Sequence, residues 1–273
     1  MRCVTRAARG VLLVSLLSCM AGVVSAAVPS VFLEELTWPE LQAMVAGGST
    51  TVLIPIGGTE QNGPHMVLGK HNARAHALAG RIAQQLGNAV VAPVLAYVPE
   101  GSIQPPAAHM RFTGTISITE AAFEAVLEGA ARSFKQHGFH DIVFLGDHGG
   151  YQKSEARVAQ RLNRAWATDP SARVHALPEY YAAATAPFNQ SLLAKGYSAA
   201  EVGTHAGLAD TALALAVDPR LVRADKLVQA HTDSPANGVY GDPRRASAEL
   251  GQSGLQHIVD ASVLAIRTAL RKR

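Results

Sequence analysis

Asp141-Ile-Val-Phe-Leu145 runs without a break into Gly146-Asp147-His148-Gly149-Gly150. A short run of β-branched, aromatic and aliphatic residues is a strand buried on both faces, and the glycine-punctuated polar turn marks its end. Thr51-Val-Leu-Ile-Pro-Ile56, which closes on Gly57-Gly58, repeats the pattern. Working outward, Val90 to Tyr97 and Arg173 to Leu177 read as further strands, and Gly114-Thr-Ile-Ser-Ile118 as a short one. Helices fall between them. Ala75, Leu78, Ala79, Ile82 and Leu86 give Asn72 to Leu86 one apolar face, Thr119 caps a helix over Glu120 to Phe134 that stops at His137-Gly138, and Ser154 to Trp166 is helical again. Strands alternating with helices predict a mostly parallel sheet covered on both faces. Ligands of such sheets bind beyond the carboxyl ends of the strands, where the polar turns lie.

The first residues read as an export signal. Arg2, Arg6 and Arg9 precede an apolar run from Val11 to Val24, and Val24-Ser25-Ala26 is a small-x-small cleavage site before Ala27. Processing as a lipoprotein at Cys19 is the alternative, although the residues after Cys19 stay apolar. Residues 1–26 are thus expected to be a signal peptide, residues 27–273 one compact domain, and the mature protein periplasmic or secreted. The run is too short for a membrane span. Both cysteines, Cys3 and Cys19, lie in the leader, so the mature chain has neither disulfide nor thiolate ligand. The chain carries 24 Lys and Arg against 21 Asp and Glu, and three of the arginines leave with the leader. A net charge near zero removes the electrostatic case for nucleic acid.

Three polar segments carry the chemistry. The first is Gly57-Gly-Thr-Glu60-Gln-Asn62-Gly-Pro-His65-Met-Val-Leu-Gly-Lys-His71, the second Asp147-His148-Gly-Gly-Tyr151, the third Thr204-His205-Ala-Gly-Leu-Ala-Asp210-Thr211. Glu and His side chains converging from separate strand ends suit a divalent cation where thiolates are absent. Such a cation lowers the pKa of water and polarises a carbonyl, which makes hydrolysis possible near neutral pH. Taken singly, each residue also has a structural reading: Glu60 as a cap or a partner of Lys70, Asn62 as turn chemistry, Asp210 as the cap of a helix over Thr211 to Val217. His76, His109, His137, His140, His175, His231 and His257 are assigned structural or solvated roles.

The order of the segments resembles the creatininase (creatinine amidohydrolase) family. Ile54-Pro-Ile-Gly-Gly-Thr-Glu60-Gln-Asn62-Gly-Pro-His65 resembles its Pro-x-Gly strand end and Glu-x-His-Gly-x-His opening. Gly114-Thr115-Ile116, His137-Gly138-Phe139 with the loop to Gly150, His205-Ala-Gly with Asp210-Thr211, and Gly238-Val-Tyr-Gly-Asp242-Pro243 resemble later family blocks in order. The resemblance implies a three-layer α/β/α sandwich, a centre often holding two divalent ions, hydrolysis of amide bonds in small ring or formamide substrates, and a homo-oligomer. Carried over by position, Glu60, Asn62, His71 and His148 would be metal ligands. His205 would be the proton-shuttling acid/base, Asp210 would orient the water or support the metal, and His65 would fix a ligand or the loop.

Among the departures from the pattern, which include Asp210 and Leu208 for Glu and Tyr151 for Asn, two fall on metal-ligand positions. His71 stands where the family has a bridging Asp, and Asn62 where it has a ligating His. A neutral imidazole has one lone pair to offer and cannot bridge two cations as a carboxylate does. One ion on Glu60, His71 and His148 is therefore expected, with zinc favoured and manganese or iron as alternatives. Three functional readings remain: a one-metal hydrolase of amide or lactone bonds in a small, cyclic periplasmic compound; a two-metal amidohydrolase; and a metal-free binding protein on the same fold. Residues Glu100 to Met110 and Tyr180 to Phe188 are expected as loops lining the pocket or an oligomer interface.

Overall fold

Four strands, β1 (Thr51–Ile56), β2 (Ala89–Val91), β3 (Asp141–Gly146) and β4 (Arg173–Ala176), pair in the order β2-β1-β3-β4 and all run parallel. They belong to a computed structural model that describes residues 30–232 and 236–271. The expected leader, with Arg2, Arg6, Arg9, Cys3, Cys19 and the cleavage site before Ala27, lies outside the described residues. The helices are α1 (Trp38–Ala46), α2 (Lys70–Leu86), α3 (Glu120–Gln136), α4 (Gln152–Ala165), α5 (Pro178–Ala194), α6 (Ala199–Val202), α7 (Leu208–Val217), α8 (Leu227–Thr232) and α9 (Ala248–Arg271). No helix among the described residues is long and apolar enough to cross a membrane.

The period of two along each strand divides the core into two layers. Val52, Ile54 and Ile56 of β1 with Ile142 and Phe144 of β3 pack against Phe123, Leu127 and Ala131 of α3 and Val158 and Leu162 of α4. Leu53, Val143 and Leu145 face the other way, onto Leu78 and Ile82 of α2, Tyr180 and Phe188 of α5, Leu213 of α7 and Ile258 of α9. Because both faces are covered, β1 and β3 are buried along their whole length. The result is the expected three-layer α/β/α sandwich.

Several local expectations give way. The strand drawn from Val90 to Tyr97 stops at Val91, and Pro93, which has no N–H to give a ladder, follows it. The chain then returns to β1, where Leu95 N donates to Pro55 O at 3.0 Å. Residues 114–118 form no strand; they make a strap whose Ile116 N donates to Thr59 O at 2.9 Å and whose Thr115 Oγ1 accepts from Gln61 N at 3.1 Å. That strap holds the loop carrying Glu60. The segment Tyr180 to Phe188 is part of helix α5 rather than a loop, and α7 starts at Leu208, so Asp210 sits in its first turn rather than at its cap.

The register Ile56↔Gly146 brings the carboxyl ends of β1 and β3 side by side. Gly57 follows β1 because the start of α2 presses on it: a Cβ there would lie 2.8 Å from Asn72 Cα. This close approach sets the first turn of α2, with Lys70, His71 and Arg74, against both strand ends.

Candidate metal centre

Glu60 is delivered by the turn after β1 and is completely buried. Its Oε2 has no hydrogen-bond donor, yet His109 Nε2 lies 3.2 Å and His148 Nε2 3.9 Å from it. The ligand atoms of Glu60, His109 and His148 all lie within 4.8 Å of one another. Leaving a buried carboxylate oxygen unpaired is costly, and a cation between it and two imidazoles removes the cost. Burial lowers the pKa of both rings, that of His148 to about 4, so each is neutral and can offer a lone pair at neutral pH. One oxygen and two imidazole nitrogens fit zinc or a similar divalent ion.

Two neighbours tune these rings. His148 Nδ1 accepts from Gly150 N at 3.2 Å and lies 3.7 Å from Glu100 Oε2. Glu100 is buried with neither oxygen paired; burial and the Glu60 charge push its carboxyl up to about 8. Gln61 governs His109. Its Oε1 accepts from Gly63 N at 2.9 Å, while its Nε2 donates to Gly238 O at 3.1 Å and lies 3.1 Å from both His109 Nδ1 and His205 Nε2.

His71 sits beside this group with both nitrogens engaged: Nε2 is 2.8 Å from Glu60 Oε1 and Nδ1 2.6 Å from Asp147 Oδ2. Burial and Lys70 oppose charge on the ring, but the bonds to Asp147 and Glu60 win and its pKa is raised. Here His71 orients Glu60 from behind. Asn62 is likewise buried, and its Nδ2 donates to Glu60 O at 2.9 Å and Val67 O at 3.0 Å, which shapes the turn. His65 pairs with Thr211 Oγ1 at 3.0 Å.

Asp210 lies apart from the three ligands and holds cations. It pairs with Lys70 Nζ, accepts from Arg74 Nη1 at 3.0 Å and from Ala206 N at 3.1 Å. Arg74 Nε also binds Asp147 at 3.0 and 2.9 Å, and Tyr180 OH completes Asp147 at 3.0 Å. His205 approaches from the loop before α7. Its Nε2 is 3.0 Å from Gln61 O and its Nδ1 3.8 Å from Glu60 Oε1. Burial and Lys70 lower its pKa to about 4, so it is a neutral proton acceptor.

The site opens on two sides. A cavity of about 250 Å³ is lined by His71, His148, Tyr181, Thr185, Asn189 and His205, and another of about 640 Å³ by Glu100, Gln104, His109, Ser117 and His148. His148 separates them.

A family model described as creatinine amidohydrolase matches residues 34–266. The chain belongs to the creatininase family. It is 29% identical over 257 residues to the creatinine amidohydrolase of Pseudomonas putida, covering 87% of this chain and 96% of that protein. It is 32% identical over 222 residues to the mycofactocin precursor peptide peptidase of Mycolicibacterium smegmatis, covering 74% and 78%. Among solved structures, a manganese creatininase superposes with a TM-score of 0.71 at 27% identity, covering 88% of this chain and 99% of that one. A creatininase mutant described as Zn-Zn type gives 0.73 at 26% identity, covering 89% and 99%. Membership makes this chain a metal-dependent amidohydrolase, and the cluster around Glu60 is where its residues can hold the ion.

Of the residues read from sequence, Glu60, His71, His148 and His205 converge, whereas Asn62 and Asp210 support them from outside the cluster. His109, given a structural or solvated role from sequence, and Glu100, expected only within a loop lining the pocket or an interface, join the site itself. Both come from the stretch between Val98 and Ser117, which has no periodic signal to place it.

Proposed function

We propose that this chain hydrolyses an amide bond, with lactones as a related substrate, in a small and preferably cyclic compound met outside the cytoplasm. The supporting observation is the unpaired Glu60 Oε2 facing two imidazoles where two cavities meet. A divalent cation bound there supplies Lewis acidity and a more acidic water. His205 offers the Nδ1 lone pair to take a proton and return it to the leaving nitrogen. Asn189 Oδ1, buried and unpaired on the wall of the smaller cavity, is placed to accept a substrate N–H. Zinc suits this donor set best.

The test is turnover of a panel containing creatinine, other cyclic amides, formamides, lactones and short peptides, before and after chelation and reloading with zinc or manganese. Turnover of a ring substrate, lost on chelation and restored by metal, is expected. Turnover of peptides alone would replace the substrate class, and turnover indifferent to chelation would overturn the reading. Glu60→Gln and His148→Ala should each abolish metal retention through dialysis. Export is supported by the leader-like residues 1–26. Intact mass of protein from an exporting host should match a start at Ala27; an acylated Cys19 would redirect it to the lipoprotein route. A homo-oligomer is supported by the same family resemblance, and sedimentation measures it.

A further inference from the structure

We infer that the Lys70 ammonium stands in for a second cation, so that the centre takes one divalent ion on Glu60 Oε2 and refuses another on Glu60 Oε1. This rests on the metal-dependent reading above. The two oxygens of Glu60 face different surroundings. Oε2 has no donor and faces His109 and His148. Oε1 receives His71 Nε2 at 2.8 Å, with Lys70 Nζ at 3.9 Å and His205 Nδ1 at 3.8 Å. Lys70 is 1% exposed, and its Nζ lies between Glu60 Oε1 and Asp210, with which it is paired.

Its pairing with Asp210 holds the ammonium in place. Asp210 is itself fixed by Arg74 Nη1 at 3.0 Å and Ala206 N at 3.1 Å, and Arg74 is anchored on Asp147. A divalent ion on Glu60 Oε1 sits about 2 Å from that oxygen. It would then lie within a few ångströms of a fixed positive charge that buried surroundings screen weakly. The charge balance agrees. Glu60, Asp147 and Asp210 face the fixed charges of Lys70 and Arg74, so three carboxylates set against two cations leave little negative charge for a second divalent ion. One of the similar solved structures is of a Zn-Zn type; in this chain the Lys70 side chain brings a positive charge beside Glu60 Oε1.

Removing the ammonium would leave Glu60 Oε1 and Asp210 Oδ2 flanking the space it fills, which is a pair of carboxylate oxygens suited to a cation. The experiment counts metal. Parent, Lys70→Ala and Lys70→Arg, each full length and reloaded, are dialysed against dilute zinc and analysed for zinc per chain. Parent and Lys70→Arg should hold about one equivalent and Lys70→Ala about two, with the second equivalent bound about 100-fold or more tighter than in the parent. A Lys70 that served only to anchor Asp210 would leave the count unchanged. Two equivalents in the parent, or one in folded Lys70→Ala, overturns the inference while leaving a metal hydrolase intact; none in the parent removes the metal reading itself. Should Lys70→Ala not fold, zinc-edge anomalous diffraction from parent crystals in excess zinc decides. One peak, on Glu60 Oε2, is expected. A second peak in bonding range of Glu60 Oε1 overturns the inference.

Discussion

Replacing Arg74 by Met tests whether the site is held together by charge. The guanidinium is 5% exposed and connects three elements: it projects from α2, binds Asp147 after β3 through Nε at 3.0 and 2.9 Å, and reaches Asp210 in α7 through Nη1 at 3.0 Å. Met keeps most of the apolar stem and removes the charge, so the loss is electrostatic rather than a cavity. Breaking a buried pair by deleting one partner costs about 3–5 kcal/mol. Asp147 keeps His71 and Tyr180, and Asp210 keeps Lys70 and the Ala206 N–H, which places the expected cost near the lower end, about 3 kcal/mol. The sign with pH follows from the carboxyls. Burial works to raise Asp147 and Asp210, but Arg74 and Lys70 with their neighbours hold both below the ordinary value. A depressed carboxyl contributes stability that is present above its unfolded pKa, about 3.9, and lost as pH falls through its folded pKa. Without Arg74 that contribution shrinks, so the gap between parent and variant should be widest at neutral pH and close as pH falls below about 4. Urea unfolding in chelator at several pH values reads it without interference from metal linkage. A cost under about 1 kcal/mol at neutral pH, or a gap unchanged in acid, refutes the reasoning.

Other perturbations separate site from scaffold. Glu155 on α4 is 1% exposed with neither oxygen paired, and burial raises its pKa well above normal. Glu155→Met should therefore stabilise by about 1–3 kcal/mol near pH 8, measured by urea unfolding. The gain should fade below the unfolded value near 4.3, where the parent carboxyl is neutral in both states. Gly251 of α9 crosses α7 so closely that a Cβ would lie 1.9 Å from Ala212 O. Gly251→Ala should cost about 1–3 kcal/mol in thermal or urea unfolding despite the better helix propensity of alanine. Glu100→Gln should weaken zinc binding about 10-fold in a chelator competition above pH 8, where the ionised Glu100 carboxyl places a second negative charge beside His148. Unchanged affinity would remove Glu100 from the site.

The sequence states the scaffold where side-chain period and burial coincide. β1 and β3 were legible because a strand covered on both faces is apolar along most of its length. Glu60 and His148 were legible because they follow those strands directly. α5 was not: Pro187 interrupts its pattern, and only the packing of Tyr180, Ala183, Phe188 and Leu192 into the core shows why it stays helical. His109 and Glu100 were not legible because a long non-periodic segment brings them in, and its position depends on the bond from Ile116 to Thr59 and on the strap's contacts. The role of His71 needed a partner that sequence order conceals. Asp147 lies 76 residues away and meets it only because β1 and β3 are neighbours.

Lys70 and Arg74, four residues apart, share one face of α2, and their signal was present in the spacing. Its meaning depends on the helix end. A helix N-terminus already carries partial positive charge, so placing Lys70, His71 and Arg74 in its first turns is unfavourable unless anions surround them. The anions are Glu60 after β1, Asp147 after β3 and Asp210 in α7, each from a different element. Docking α2 therefore brings three strand- and helix-borne carboxylates together without mutual repulsion, using charges the chain carries itself. That leaves Glu60 Oε2 as the oxygen with no cation assigned, and it is the one turned towards His109 and His148. The same network that holds the fold at this corner thus selects which face of a single carboxylate remains available for metal.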